Sequence, residues 1–503
     1  DALLPRLQEK GELAGAHRTC GEVLEARSIK NLPPVAETLA NHYEAAGDVG
    51  KAVGMFCLAA EHAIHTFAFE HAVFLAHRAV RMLVKAGGDE ITAARANLLV
   101  GKAMLLSGKP ADARATFEAS LMSPNLERAP DVLGEMHLWL SRAYRALGQA
   151  DAGRKAVDHA LTLLKPEKHP VAVARLLLAR GEVMRESDPR AALADAGRAR
   201  ELFGSKPSTE DLLRVEELAT VAALQAGRPQ QALEAARRRV ELAEKDGRAL
   251  DEIPARRLLA EAHAASGDRL AARHSLNAAL ELAKKHGHKV EEALLTKALG
   301  EELYVSGAYG EAIARFQRAT TLAAQLSQIA DRAESLQMIG RCYYGKGEYD
   351  RALDHQRAAA DAFDKLGALG NLIIARTDVA LTLLAKGNIA EAEEQLRGAA
   401  KRLKTDGLDE ARAHVLLAQG MLFTQNREWK KARKAFLYAA ALRRRNHRLF
   451  ALGEVLAGYG QLLLRVREHK RALRVARRAE WIFTDLDARG QLLARDAGPE
   501  NER

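Results

Sequence analysis

Residues 339–363 read IGRCYYGKGEYDRALDHQRAAADAF. Gly347 stands between two stretches of helix-favouring residues. Seven residues before it is Gly340, five after it is Ala352, and seven further on is Ala359. Positions seven apart lie two turns apart on one helix face, so paired small residues there let a neighbouring helix approach closely. Larger residues on the same stripe fill the groove of the partner helix. The glycine between the two stretches permits the left-handed backbone that ends a helix. The segment therefore reads as helix A, a tight turn and helix B.

The pattern recurs along the chain. Turn glycines fall at Gly108, Gly148, Gly227, Gly267, Gly307, Gly347 and Gly387, at spacings of 40, 79, 40, 40, 40 and 40. The doubled step hides a unit whose turn is RESDPRAA, near Ser187 and Asp188. The beat then continues without glycine at Arg427 and Arg467. Five residues after each turn stand the repeat anchors Ala113, Gly153, Ala192, Ala232, Ala272, Ala312, Ala352, Ala392, Ala432 and Ala472. A second small series precedes the turns by seven: Gly101, Ser141, Ala260, Gly300, Gly340, Ala380, Gly420 and Gly460. One such hairpin cannot bury its apolar face alone, and stacking against the next one does so. Residues 91–484 are expected to form ten regular repeats of about 40 residues, with helices of roughly 15–18 residues, or ~25 Å. Residues 1–90 read as less regular helical repeats, with the same turn at Gly47 and a long helix over 67–84. Residues 485–503 read as a C-terminal cap or flexible tail.

Composition narrows the function classes. The 503 residues are 48% hydrophobic and 28% charged, with 5% aromatic side chains. This is the composition of a folded chain poor in the rings that stack on bases. Cys20, Cys57 and Cys342 are too far apart in sequence for a dense disulfide framework or a four-Cys zinc site, which fits a reducing, cytoplasmic setting. No apolar run reaches membrane-spanning length. The segment GDVGKAV at 47–53 has Gly50 and Lys51 but Ala52 where a phosphate loop needs Ser or Thr, and it lies in a helix hairpin. His62, His65, His71 and His77, with Glu61 and Glu70, lack zinc-site spacing. Glu291–Glu292 and Glu301–Glu302 read as charged helix faces. Trp139, Trp429 and Trp481 read as packing residues, with Trp429 the one candidate for the surface. No catalytic, metal or cofactor-binding residues emerge, and the chain is expected to be no enzyme and to need no cofactor.

Charge is uneven. The chain carries 76 Lys and Arg against 66 Asp and Glu, a formal +10. Residues 427–478 hold 16 basic and three acidic residues, a local +13, which leaves the remainder near −3. Lys430, Lys431, Lys434, Arg443, Arg444, Arg445, Lys470, Arg471, Arg474 and Arg477 form a candidate basic interaction patch. It is suited to an acidic protein surface or to weak, non-specific nucleic-acid contact through phosphates. A solvated face accounts for the same residues.

The anchored pattern Gly340, Tyr343, Gly347, Ala352, Ala359 resembles the tetratricopeptide-repeat superfamily. The resemblance implies an all-α, right-handed superhelical solenoid of helix hairpins, with a protein or peptide bound in its concave groove. The segment ANHYEAAGDVGKAVGMFCLAAEHA at 40–63 is similar to the junction in large bacterial signalling ATPases, the signal-transduction ATPases with numerous domains. There, helical repeats follow the nucleotide-switch module. Those proteins often carry Ser/Thr kinase, cyclase or DNA-binding domains. The resemblance implies a covalently attached upstream regulatory domain and a non-catalytic interaction or sensory scaffold in a multidomain bacterial regulator. The alternative expectation is a nucleic-acid-associated transcriptional regulator arm that uses the 427–478 face.

Overall fold

The structure, a computed structural model, describes residues 11–29, 31–185, 187–204, 207–403, 408–445 and 449–485. The cap or tail expected over 485–503 lies, but for its first residue, outside them. The described residues form α-helices joined by short turns, two short 3₁₀ segments and no strand. The chain divides into two compact units, residues 1–222 and 223–503, with the division inside one helix.

The first unit holds α1 (Leu13–Ser28), α2 (Ala36–Ala45), α3 (Val49–His65), α4 (Phe69–Ala86), α5 (Glu90–Leu106), α6 (Pro110–Leu121), α7 (Pro130–Ala146), α8 (Ala150–Leu163), α9 (Pro170–Met184) and α10 (Pro189–Phe203). Helix α11 (Thr209–Gln225) spans the division. The second unit holds α12 (Pro229–Asp246), α13 (Ala249–Ala265), α14 (Arg269–Lys285), α15 (Lys289–Val305), α16 (Tyr309–Gln325), α17 (Ile329–Gly345) and α18 (Tyr349–Lys365). It continues with α19 (Leu369–Lys386), α20 (Ile389–Lys401), α21 (Asp409–Gln425), α22 (Trp429–Arg445), α23 (Leu449–Arg465) and α24 (His469–Asp485).

In the second unit the backbone beats twice as fast as the sequence pattern. Positive φ occurs at Gly247, Gly267, Gly287, Gly307, Ser327, Gly347, Gly367 and Gly387, one position in every 20. The connector from helix B to the next helix A is thus the same turn as the one within the hairpin. At Gly347 the amide donates to Tyr344 O at 3.0 Å, and the Glu348 amide donates to Tyr343 O at 2.9 Å. This is the double closure that satisfies the last carbonyls of a helix. Arg427 and Arg467, expected to keep the beat without glycine, do so with φ of 60° and 61°.

The two small-residue series explain each other. All ten anchors after the turns are buried. A Cβ on Gly300 would stand 2.8 Å from the Phe316 ring, and one on Gly420 would stand 2.8 Å from Phe436. Phe117 lies over Gly101 in the same way. At Gly101, Gly300 and Gly420 a phenylalanine ring of helix B lies against the helix A backbone, and burying each ring contributes about 1.5–3 kcal/mol. Ala260 and Ala380 share buried clusters with the smaller Leu276 and Leu396, which lie at the same offset.

A and B helices differ in burial. Helix α18, a B helix, buries Ala352, Leu353, Gln356, Ala359, Ala360 and Phe363, which form one stripe. Helix α19, an A helix, buries Leu372, Ile373, Ala375, Thr377, Asp378, Val379, Ala380, Thr382, Leu383 and Leu384, which wrap most of its circumference. Helix α19 packs on α18, α20, α17 and α21. The A helices of the second unit thus form an inner layer, and some of their polar residues, among them Thr377, Asp378, Thr382 and His414, are buried.

Candidate functional site

The inner layer of the second unit surrounds a cavity of about 410 Å³. Its walls come mainly from the A helices α15, α17, α19, α21 and α23. Helices α18 and α22 contribute Gln356 and Arg443. The walls close on each other: Tyr304 of α15 and Phe450 of α23 have ring centroids 6.3 Å apart. Val305 packs against the cluster built on α21 to α24.

A buried polar knot joins three of these helices. Asp378 of α19 is 4% exposed. Its Oδ2 accepts from Gln337 Nε2 at 2.7 Å and from Arg341 Nε at 2.9 Å, both on α17. His414 Nε2 of α21 lies 2.7 Å from Oδ1. Burial would raise the Asp378 carboxyl, but Arg341 and His414 outweigh it and hold it far below the usual carboxylate range. Arg443, 3% exposed, pairs with Glu410.

Gln356 is the outlier of the repeat. The equivalent position is Phe117, Val157, Ala196, Ala236, Leu276, Phe316, Leu396, Phe436 and Ala476 in the other nine units. Gln356 is 1% exposed and lines the cavity. One end of its amide is held by the Thr382 hydroxyl, 2.8 Å from Oε1. The other end, Nε2, has no hydrogen-bond partner among the described residues.

Glu301 stands on the cavity wall. Its side chain reaches solvent but is enclosed by the surrounding helices. This enclosure pushes its carboxyl up to about 7. Lys297 opposes the shift, and Glu334, Glu302 and Glu261 add to it. Lys297 is itself engaged by Asp331 at 2.8 Å and Glu334 at 2.7 Å. The expected pair Glu301–Glu302 therefore separates: Glu302 bonds Arg269 at 2.7 Å, and Glu301 faces the cavity.

The first unit has its own cavity, about 580 Å³, lined by Trp139, Arg142, Arg145, Glu182, Arg185 and Arg214 among others. The Arg142 guanidinium lies over the Trp139 ring at 4.7 Å. Glu182 accepts from Arg214 at 2.8 Å. Trp139, expected as a packing residue, lines this cavity.

The basic patch lies on the B helices α22 and α24. Lys430, Lys431, Lys434, Arg444, Arg445, Lys470, Arg471, Arg474 and Arg477 are exposed. Arg443 departs from the patch, because its helical position turns it inward to Glu410. Lys431 pairs with Glu428, and Arg471 bonds Glu468 at 2.8 Å. Trp429, Lys430, Arg433, Lys434, Leu437 and Tyr438 form a shallow surface groove. The most exposed tryptophan is Trp481 at 61%, not Trp429.

Asp48, in the Gly50–Lys51 segment, caps α3 by accepting from the Lys51 amide at 3.1 Å, so those residues start a helix. Among the described residues no three His, Cys, Asp or Glu come together to hold a metal ion. None of the described helices is long and apolar enough to cross a membrane.

No protein-family model matches the chain, and no curated protein matches it. Solved structures do. The apo form of RapI is 14% identical with a TM-score of 0.51, covering 72% of this chain and 98% of RapI. A Rap protein complexed with competence and sporulation factor is 14% identical with a TM-score of 0.49, covering 72% and 99%. The apo quorum sensor NprR from B. thuringiensis is 15% identical with a TM-score of 0.46, covering 68% and 93%. At 14% identity the likeness to RapI is one of fold. The helices, turns and buried anchors described above, with that likeness, make the chain an all-α protein of tetratricopeptide-like helical repeats.

Proposed function

We propose that the chain is a protein-interaction module that receives a peptide or protein segment on its inner A-helix layer. The observation that carries this reading is the second-unit cavity. Folding alone is served by apolar residues at the Gln356 position, as nine sister units demonstrate. Here a polar amide, an Asp–Arg–His knot and a row of carboxylates are set among Met338, Leu381, Leu417 and Met421 instead. Polar groups enclosed at a cost to stability, and directed into an accessible cavity, are the chemistry of recognition. We place the module, non-catalytic by itself, in a multidomain bacterial signalling regulator, on the resemblance of residues 40–63 to the repeat junction of signalling ATPases. A second reading, an arm that contacts nucleic acid, draws on the exposed basic residues of α22 and α24.

The test is amide hydrogen exchange with and without a bound peptide selected from a capped octapeptide library. Protection along α15, α17, α19, α21 and α23 is expected. Protection confined to the outer faces of B helices would overturn the reading.

A further inference from the structure

Resting on the groove reading above, we infer that the second-unit cavity selects a peptide segment that presents a Lys or Arg side chain beside apolar residues. Two independent observations converge on this class. The first is charge. The cavity walls hold five carboxylates, Glu301, Glu334, Asp378, Glu410 and Glu454, against two guanidinium groups, Arg341 and Arg443. Asp378 is satisfied by Arg341, Gln337 and His414. Glu334 is satisfied by Lys297. Glu301 makes no hydrogen bond or ion pair among the described residues, and it stands exposed on the cavity wall. A ligand cation placed there meets an unpaired carboxylate on a wall where carboxylates outnumber guanidinium groups.

The second observation is Gln356. It is 99% buried by its 1% exposure, its Nε2 is without a protein partner, and it lines the same cavity. The half-satisfied amide is what a ligand backbone completes: its free end meets a peptide group, while Thr382 holds the other end in place. The apolar part of the wall, Met338, Ile374, Leu381, Leu417, Met421 and Phe450, fits the side chains flanking the cation. Two methionines on that wall give it the adaptable surface that accepts varied apolar shapes. The overall charge of the chain is +10, so attraction of a basic peptide is a property of this cavity and not of the molecule as a whole.

The experiment uses the full chain and a positional-scanning library of octapeptides, acetylated and amidated so that only side chains carry charge. Selected peptides are titrated by calorimetry against the parent chain and against Glu301→Gln and Gln356→Leu. Circular dichroism melting confirms that both variants fold. We expect enrichment of Lys or Arg flanked by apolar residues. Affinity should fall at least about tenfold in Glu301→Gln and about two- to tenfold in Gln356→Leu. Selection of neutral or acidic peptides, or basic peptides whose affinity is unchanged in Glu301→Gln, overturns the cation inference and leaves the groove reading standing. Selection of no peptide overturns both.

Discussion

Gln356 sits directly against Gly340. A Cβ on Gly340 would stand 2.6 Å from Gln356 Cγ and 3.1 Å from the Ala352 carbonyl oxygen. The pair occupies the same two positions as Gly300–Phe316 and Gly420–Phe436, so this unit keeps the glycine of a phenylalanine site but fills it with an amide. Gly340→Ala should therefore destabilise the chain by about 1–3 kcal/mol, since backbone bounds one side of the site. Gln356→Phe rebuilds the sister arrangement and should melt no lower than the parent. Thermal denaturation of the two variants beside the parent checks both statements.

Asp378 holds the inner layer of the second unit together. Replacing it with Ala leaves Arg341 without its charge partner and His414 without its acceptor, and should cost about 3–5 kcal/mol. The folded-state pKa of Asp378 is depressed, so its contribution is present above the unfolded value of about 3.9 and is lost as pH falls below it. Urea titrations of the parent and Asp378→Asn should differ by a constant amount above about pH 4 and converge below it.

Glu301 has the opposite sign. Its folded pKa is raised to about 7, so the folded state holds the proton more tightly than the unfolded chain. Stability of the parent relative to Glu301→Gln should fall as pH rises from about 4.3 towards 7 and then stay level. The groups that face this carboxyl are Lys297 and Glu302 on its own helix, Glu261 on α13, and Glu334 and Arg341 on α17. Across the cavity stand Glu410, His414 and Glu454. A bound ligand cation favours the charged form, so affinity for a Lys- or Arg-bearing peptide should increase through about pH 7. That increase should be absent in Glu301→Gln.

The turns at Arg427 and Arg467 carry a left-handed backbone on a residue with a side chain. Arg427→Gly should relieve up to about 1 kcal/mol of that strain, less the greater freedom glycine gives the unfolded chain. A melting temperature below the parent's would contradict this account of the turn.

The exposed basic residues of α22 and α24 predict weak, steeply salt-dependent binding to a short DNA duplex. Each phosphate neutralised adds roughly 0.9 to the logarithmic salt slope. Anisotropy measured at ~50 mM salt should fall for a chain with Lys430, Lys431, Lys434, Arg444 and Arg445 changed to Gln, and both chains should lose binding near ~150 mM. Identical curves for the two chains would make the patch a solvated face. Binding that persists at ~150 mM would favour the nucleic-acid reading.

The fold was legible because its determinants are local and repeated. Glycine at the turns and small residues at fixed offsets name the helices and their packing faces without any knowledge of distant contacts. The 20-residue beat was also in the sequence, in Gly247, Gly287 and Gly367, but Ser327 interrupts that series and hides it. The cavity was less legible. Glu301, Arg341, Asp378 and His414 sit one on each of four successive A helices, and spacing alone does not separate an enclosed face from a solvated one. Gln356 was the one signal available, a polar residue at a position that nine other units fill with apolar side chains. Arg443 shows the converse: its neighbours Arg444 and Arg445 are exposed, and only its place on the α22 helix turns it inward.

The most direct measurement is the affinity of one selected basic peptide for the parent, Glu301→Gln and Gln356→Phe, with the melting temperature of each chain recorded alongside. The account predicts that both variants melt at or above the parent at pH 8, while Glu301→Gln binds at least about tenfold more weakly and Gln356→Phe, its cavity floor filled, also loses affinity. Equal affinity for all three folded chains would contradict a recognition site in the second-unit cavity.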